Sequence, residues 1–262
     1  VLAQFELATH GGHIDVAGMI DAADAAGGIV RLSARDGIAL ADTAVIDASA
    51  TGDAQRGGRV ELAVSTGVID NDGRVDVAGR DADGARVDDG HVSLRAPRIG
   101  TTGLGVASVG DIAGAARVDL EGFATYNATS VTPTLLGTIR NDTSAFMANA
   151  AAIEQGLGIA GDARFHVIPG IDVVSNGDLT LSTPWDLMTW RDGAEPGVLT
   201  LRAAGNLLLN RNLSDGFADQ ALDFLPERSV IQSGSSWSYR LVAGAAAGAD
   251  PLAVRRGAGS VT

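Results

Sequence analysis

Gly90-His91-Val92-Ser93-Leu94-Arg95-Ala96 carries the alternation on which the reading of this chain turns. Val92, Leu94 and Ala96 fall on one side and His91, Ser93 and Arg95 on the other, the period of a strand with one buried face. The same frame recurs at Gly28 (GIVRLSA), Gly58 (GRVELAV), Gly177 (GDLTLST) and Gly197 (GVLTLRA). The leading glycine is read as letting the backbone turn sharply before each strand, including with positive φ. A strand-and-turn unit repeated every twenty to thirty residues or so signals a solenoid. The expected fold is therefore all-β: a right-handed parallel β-helix, each coil laid on the one before at about 4.8 Å.

A second register mark runs with the first. Ile20-Asp21-Ala22, Ile46-Asp47-Ala48 and Val75-Asp76-Val77 are spaced by 26 and 29 residues, and each is placed on the closing strand of a coil. A third coil is expected from Gly90 through Val106 to Val118-Asp119-Leu120. Loops such as 80–89 absorb the differences in length. Three regions follow: regular coils over 1–122, an irregular segment over 123–170, and further coils over 171–262 with long loops and an Ala/Gly-rich tail. Phe146, Ala150, Ile153 and Leu157, spaced 4, 3 and 4, predict one helical insertion near 143–155, with Asp142 or Thr143 as N-cap and Gly156 or Gly158 at the end. The segment 214–228 reads as an extended loop or short helix. The three Trp, 185, 190 and 237, are expected on the outer face or the loops, because their rings are wide for a narrow lumen.

Composition narrows the functional classes. The chain has 262 residues, 35 Gly, no Cys, and 32 acidic against 19 basic residues, for a formal charge of −13. Every basic residue is Arg, so catalysis through Lys is excluded. The acidic balance argues against nucleic acid or anionic lipid as partner. Without Cys there are no disulfides, thiolate metal sites or Cys nucleophile. No window is apolar enough to span a bilayer, so membrane insertion is not expected. Residues 1–27 lack a basic n-region. The chain opens on a strand-like segment, Val1 to Leu7, and no cap is evident at either end, so it reads as a piece of a longer protein whose neighbouring coils would be its partners.

The candidate chemistry is sparse. Asp70-Asn71-Asp72-Gly73, Asp81-Ala82-Asp83-Gly84 and Asp88-Asp89-Gly90 resemble fragments of calcium loops, but position 12 counted from Asp81 is Val92 rather than a bidentate Glu. Asp, Asn and Gly are also ordinary turn residues. Asp47 and Asp76, with Arg74 nearby, are the carboxylates that a polysaccharide lyase or glycosidase would need on one exterior face; they are equally what a solvated strand position looks like. Of His10, His13, His91 and His166, only the first two are close in sequence, and such a pair alone is a weak metal signal. No catalytic, cofactor-binding or metal residue is assigned, and no cofactor is expected.

Glu195-Pro196-Gly197-Val198-Leu199-Thr200-Leu201-Arg202-Ala203-Ala204-Gly205-Asn206-Leu207, then Asn212 to Phe217 and Ser236 to Gly244, together with Gly177 to Leu181 and Trp185-Asp186-Leu187, resemble the shaft of filamentous-haemagglutinin-like exoproteins of bacterial two-partner secretion. The resemblance is most specific over about 140–244. It implies a secreted or cell-surface location, export through an outer-membrane transporter partner, and a non-catalytic adhesive or display role toward a host-cell receptor or glycan. It carries over no binding site, since the chain has no Arg-Gly-Asp tripeptide. The alternatives are a carbohydrate-active enzyme and the shaft of a contact-dependent toxin delivery protein.

Overall fold

The computed structural model describes residues 3–191, 195–215, 217–218, 230–231, 235–246, 253–255 and 257–262. They fall into two compact units. The first takes the residues up to Phe123 together with Ala148–Val167; the second takes Ala124–Met147, Ile168–Ala246 and the described residues beyond. No helix among the described residues is long and apolar enough to cross a membrane.

In the first unit the strands Gln4–Ala8, Ile29–Ala34, Arg59–Val64, Gly90–Ile99 and Ala115–Asn127 (as far as Phe123) lie in that order in a large parallel sheet. Their register aligns like with like. Val30, Val60, Val92 and Val118 form one row, and Leu7, Leu32, Leu62, Leu94 and Leu120 another. The four valines and the last four leucines are at most 1% exposed. Stacked branched side chains fill the space behind the sheet, and the alternate positions face away, where Arg31 and Glu61 pair across adjacent strands at 3.0 Å.

Two small parallel sheets complete the unit. One contains His13–Val16, Gly37–Leu40, Val68–Asn71 and Val106–Ser108; the other contains Met19–Asp21, Val45–Asp47, Arg74–Asp76 and Asp111–Ala113. The recurring Asp has a local cause. The carboxylates of Asp21, Asp47 and Asp76 accept the N–H two residues on, from Ala23 at 3.1 Å, Ser49 at 2.9 Å and Ala78 at 3.1 Å. Each therefore closes an Asx turn where its strand ends.

The expected right-handed parallel β-helix, a solenoid with a single helical insertion, is corrected. The strands form a large parallel sheet accompanied by several small ones, and no uniform coil runs through the described residues. Antiparallel pairs interrupt it: Gly79–Arg80 with Arg86–Val87, Gly90–Ile99 with Gly103–Leu104, and Phe217–Ala218 with Val230–Ile231. The third coil is also corrected. Asp111–Ala113, not Val118–Leu120, lies beside Arg74–Asp76; Val118–Leu120 pairs with Val92–Leu94 in the large sheet. The frame at Gly177 belongs to a different sheet from the other four, because Leu179–Leu181 pairs with Ser130–Val131 and Leu207–Leu209. Alternation specifies a half-buried strand but not its neighbour.

The frame glycines have another reason than positive φ. A Cβ on Gly28 would lie 1.8 Å from the carbonyl oxygen of Ala22, on Gly58 1.9 Å from that of Ala48, and on Gly90 2.1 Å from that of Val77. Only glycine permits this approach of one backbone to another.

Two helices, not one, occupy the middle of the chain: α1, Pro133–Met147, and α2, Ala150–Gly156. Helix α1 starts ten residues before the expected one. Thr132 accepts the Leu135 N–H on its hydroxyl at 3.3 Å, and Pro133 takes the first helical position, where its missing N–H costs nothing. Asp142 and Thr143, expected as caps, are interior. Helix α2 ends where expected, with Gly158 in the left-handed region at φ 71° and its N–H on the Gln155 carbonyl.

In the second unit, Gly170–Ser175 of the strand Phe165–Ser175 pairs in parallel with Val198–Ala203, which pairs in parallel with Ser238–Ala243. The core of this unit gathers Ile171, Leu181, Leu199 and Leu207 around Trp185 and Trp237. At 1% and 3% exposed, these two rings are core residues and not outer cover; beside short strands a large ring fills volume that small side chains would leave empty. Apart from 214–215 and 217–218, the segment 214–228 lies outside the described residues, as does 247–252 of the Ala/Gly-rich tail.

Candidate functional site

The candidate site lies in the second unit and is built from one turn and one helix face. The strand Trp185–Asp186 ends at a carboxylate that accepts the Met188 N–H at 3.0 Å and so caps a 3₁₀ turn, Leu187–Trp190. Leu187 is fully buried in the core, and Trp190 packs on Trp185 with ring centroids 5.5 Å apart at 56°. Helix α1 buries Ile139, Thr143 and Phe146, spaced 4 and 3, while Arg140 lies on its exposed side. The Arg140 guanidinium donates to the Thr189 carbonyl at 3.1 Å and to its hydroxyl at 3.4 Å, and lies 5.4 Å from the Trp190 ring centroid. Arg140, Thr143, Ser144, Thr189, Trp190 and Arg191 line a cleft of about 170 Å³.

Charge is unevenly satisfied there. Arg191 is paired with Asp215 at 2.5 Å, their side chains 11% and 1% exposed, and the second Asp215 oxygen accepts the Trp237 N–H at 2.5 Å. Burial first, then the carboxylates of Asp215 and Asp186, push the nearby Tyr239 phenol up to about 12. Arg140 meets no carboxylate among the described residues. Two buried polar atoms in the lining have no hydrogen-bond partner, the Thr143 hydroxyl oxygen and Arg191 Nε. A second hollow of about 450 Å³, lined by Asn127–Thr129 and Val174–Gly177, contains no titratable side chain.

The residues weighed from sequence lie elsewhere. Asp76 accepts from Arg74 at 3.2 Å, from Arg86, and from the Ala78 N–H. Burial would raise its carboxyl, but these donors outweigh burial and hold it below the ordinary carboxylate value. Asp47 is in register with Asp76 and is bonded to Ser49. Asp81 is taken up by its own hairpin, accepting from Asp83 at 3.0 Å and Ala85 at 2.8 Å. Asp70 accepts from Ser108 at 2.7 Å, Asn71 is buried between the Val109 carbonyl and the Gly73 N–H, and Asp89 accepts from Gly57. His10 is exposed, His13 begins a strand beside Gly37, and His166 is half-buried on its strand. His91 is bonded to Asp119 at 2.8 Å, while Arg117 holds the other Asp119 oxygen at 2.6 Å. Among the described residues, no three His, Asp or Glu side chains form a group that could hold a metal.

Sequence reasoning missed the cleft. Arg140 and Thr189 are 49 residues apart, and neither sits in a motif. The nearest signal was Trp185-Asp186-Leu187, which marks the capped turn but not the helix face opposite. The chain matches no family model, no curated protein and no solved structure.

Proposed function

We propose that this chain is a non-catalytic structural segment of a large secreted bacterial surface exoprotein of the two-partner secretion type, holding its loops toward host or neighbouring cells. The observation that supports this most is the row of Leu32, Leu62, Leu94 and Leu120, in register and dry on four successive parallel strands. Such a sheet is stiff, because each of these four strands is hydrogen-bonded on both sides and the side chains behind them are closely packed. The turns outside it vary in length at low cost. The carbohydrate-active reading is weaker. Asp47 and Asp76, the carboxylates it would need, are engaged by backbone N–H groups, and Asp76 also by two guanidiniums. A general acid or base needs a carboxyl poised near the working pH, not one pulled lower.

The decisive experiment pairs two measurements on the purified chain: adhesion of chain-coated beads to cultured cells, and release of reducing or unsaturated ends from a panel of acidic and neutral polysaccharides. Adhesion without turnover is the expected result. Turnover that disappears in Asp76→Asn would overturn the proposal in favour of an enzyme.

A further inference from the structure

We infer that the cleft between helix α1 and the turn Leu187–Trp190 binds the carboxylate of a sugar acid, either free or at the end of an acidic glycan. This goes beyond the structural reading and stands whether or not that reading holds.

Three observations converge. In a chain of formal charge −13, the Arg140 guanidinium lines a cleft, meets no carboxylate among the described residues, and is already held in place. Two of its five N–H groups are used on Thr189 and three remain for a planar acceptor. Its head is further fixed by the face of Trp190, so little side-chain freedom is left to lose on binding.

The second observation is the Thr143 hydroxyl. The residue is 4% exposed, lines the cleft, and its oxygen has no partner. A buried hydroxyl without a partner is destabilising, and a ligand oxygen at the cleft floor removes that penalty. Ser144 adds an exposed hydroxyl at the rim, while the Thr189 hydroxyl is already engaged by Arg140 and by the Asp186 carbonyl. Hydroxyls and one cation on a short perimeter match a ligand that carries both hydroxyls and one anionic group.

The third observation is size and charge. About 170 Å³ is well below the roughly 300 Å³ at which pockets for drug-sized ligands begin, so one ring fits and a chain of rings does not. Arg191 cannot serve as a second free cation, because Asp215 neutralises it at 2.5 Å. One uncompensated guanidinium favours a monoanion, and its fork matches the two oxygens of a carboxylate. A dianionic phosphate would meet the same single cation and the repulsion of Asp215 behind it.

The test titrates the full chain with sodium glucuronate, glucose, inorganic phosphate and a glucuronate-terminated disaccharide, read by tryptophan fluorescence and by ligand-observed NMR. Glucuronate should bind at least about tenfold more tightly than glucose, the factor expected of one charge-assisted hydrogen-bond pair. Arg140→Gln, an exposed substitution, should abolish that preference. Thr143→Val should weaken glucuronate several-fold without lowering the thermal midpoint, since it removes a hydroxyl that has no partner in the free chain. Equal affinity for glucuronate and the disaccharide assigns the ligand to a free acid, and tighter binding of the disaccharide assigns it to a glycan end. Equal binding of glucose and glucuronate, tighter binding of phosphate, or an Arg140→Gln variant that still prefers glucuronate overturns the inference.

Discussion

Replacing Leu94 by alanine tests whether the aligned leucine row carries the stability of the first unit. Leu94 is fully buried, with Leu62 on one side and Leu120 on the other in strict register. Losing its side chain removes a transfer contribution of about 1.5–3 kcal/mol. It also opens a void that two flanking strands, hydrogen-bonded on both sides, cannot close, and buried Leu→Ala changes of this kind cost about 3–5 kcal/mol. Leu7 occupies the same row but is 44% exposed and has one strand neighbour, Leu32. Leu7→Ala should therefore lose about half the transfer contribution and leave no enclosed void, a cost of about 1 kcal/mol. The difference of roughly 2–4 kcal/mol is measurable by urea denaturation followed by circular dichroism, with the slope unchanged. Equal costs at the two positions would refute the claim that alignment between neighbours, and not hydrophobicity alone, holds the sheet.

Gly58→Ala should cost at least about 3 kcal/mol or prevent folding, because its Cβ would lie 1.9 Å from a backbone oxygen that cannot move alone; near-wild-type denaturation would contradict the close approach. Acid should weaken the first unit. The carboxyls of Asp76, Asp119 and Glu61 all lie below their ordinary values, because burial, which would raise them, is outweighed by Arg or His neighbours and, for Asp76, by a backbone N–H. Depressed folded-state values give stability that is present above the unfolded-state values near 4 and is lost as pH falls through the folded ones. The urea midpoint should thus drop below about pH 4, with a shallower drop in Asp76→Asn; a flat profile would show that these pairs contribute nothing. Tyr239, pushed up to about 12, should ionise late in an ultraviolet titration, and Tyr239→Phe should delete that late step.

How far the sequence led can be judged residue by residue. The frames at Gly28, Gly58 and Gly90 are aligned strands of one sheet, and the Asp21, Asp47 and Asp76 mark is in register. Period-2 alternation and a repeated turn residue are local signals, and both survive into the structure. Which strands become neighbours is not local. Gly177 carries the same frame yet leads into another sheet, and Val118–Leu120 was assigned to the wrong one. The expected start of helix α1 falls too late because Asp142 and Thr143, just ahead of the Phe146 spacing, read as its N-cap, although Thr132-Pro133 is a sound helix start. The cleft was invisible for a plainer reason: its two halves meet only after the chain has folded.

The Asx turns that end the short strands have an engineering meaning. Each turn is completed by a carboxylate and an amide two positions apart, so the geometry on its strand side does not depend on what the chain does next. The hairpin between Arg80 and Arg86 is tied to itself in the same way through Asp81. A foreign peptide spliced between Ala82 and Gly84 would part Asp81 from the Asp83 and Ala85 amides it holds, so an epitope or tag placed at this tip keeps the strands together only if it brings a turn of its own.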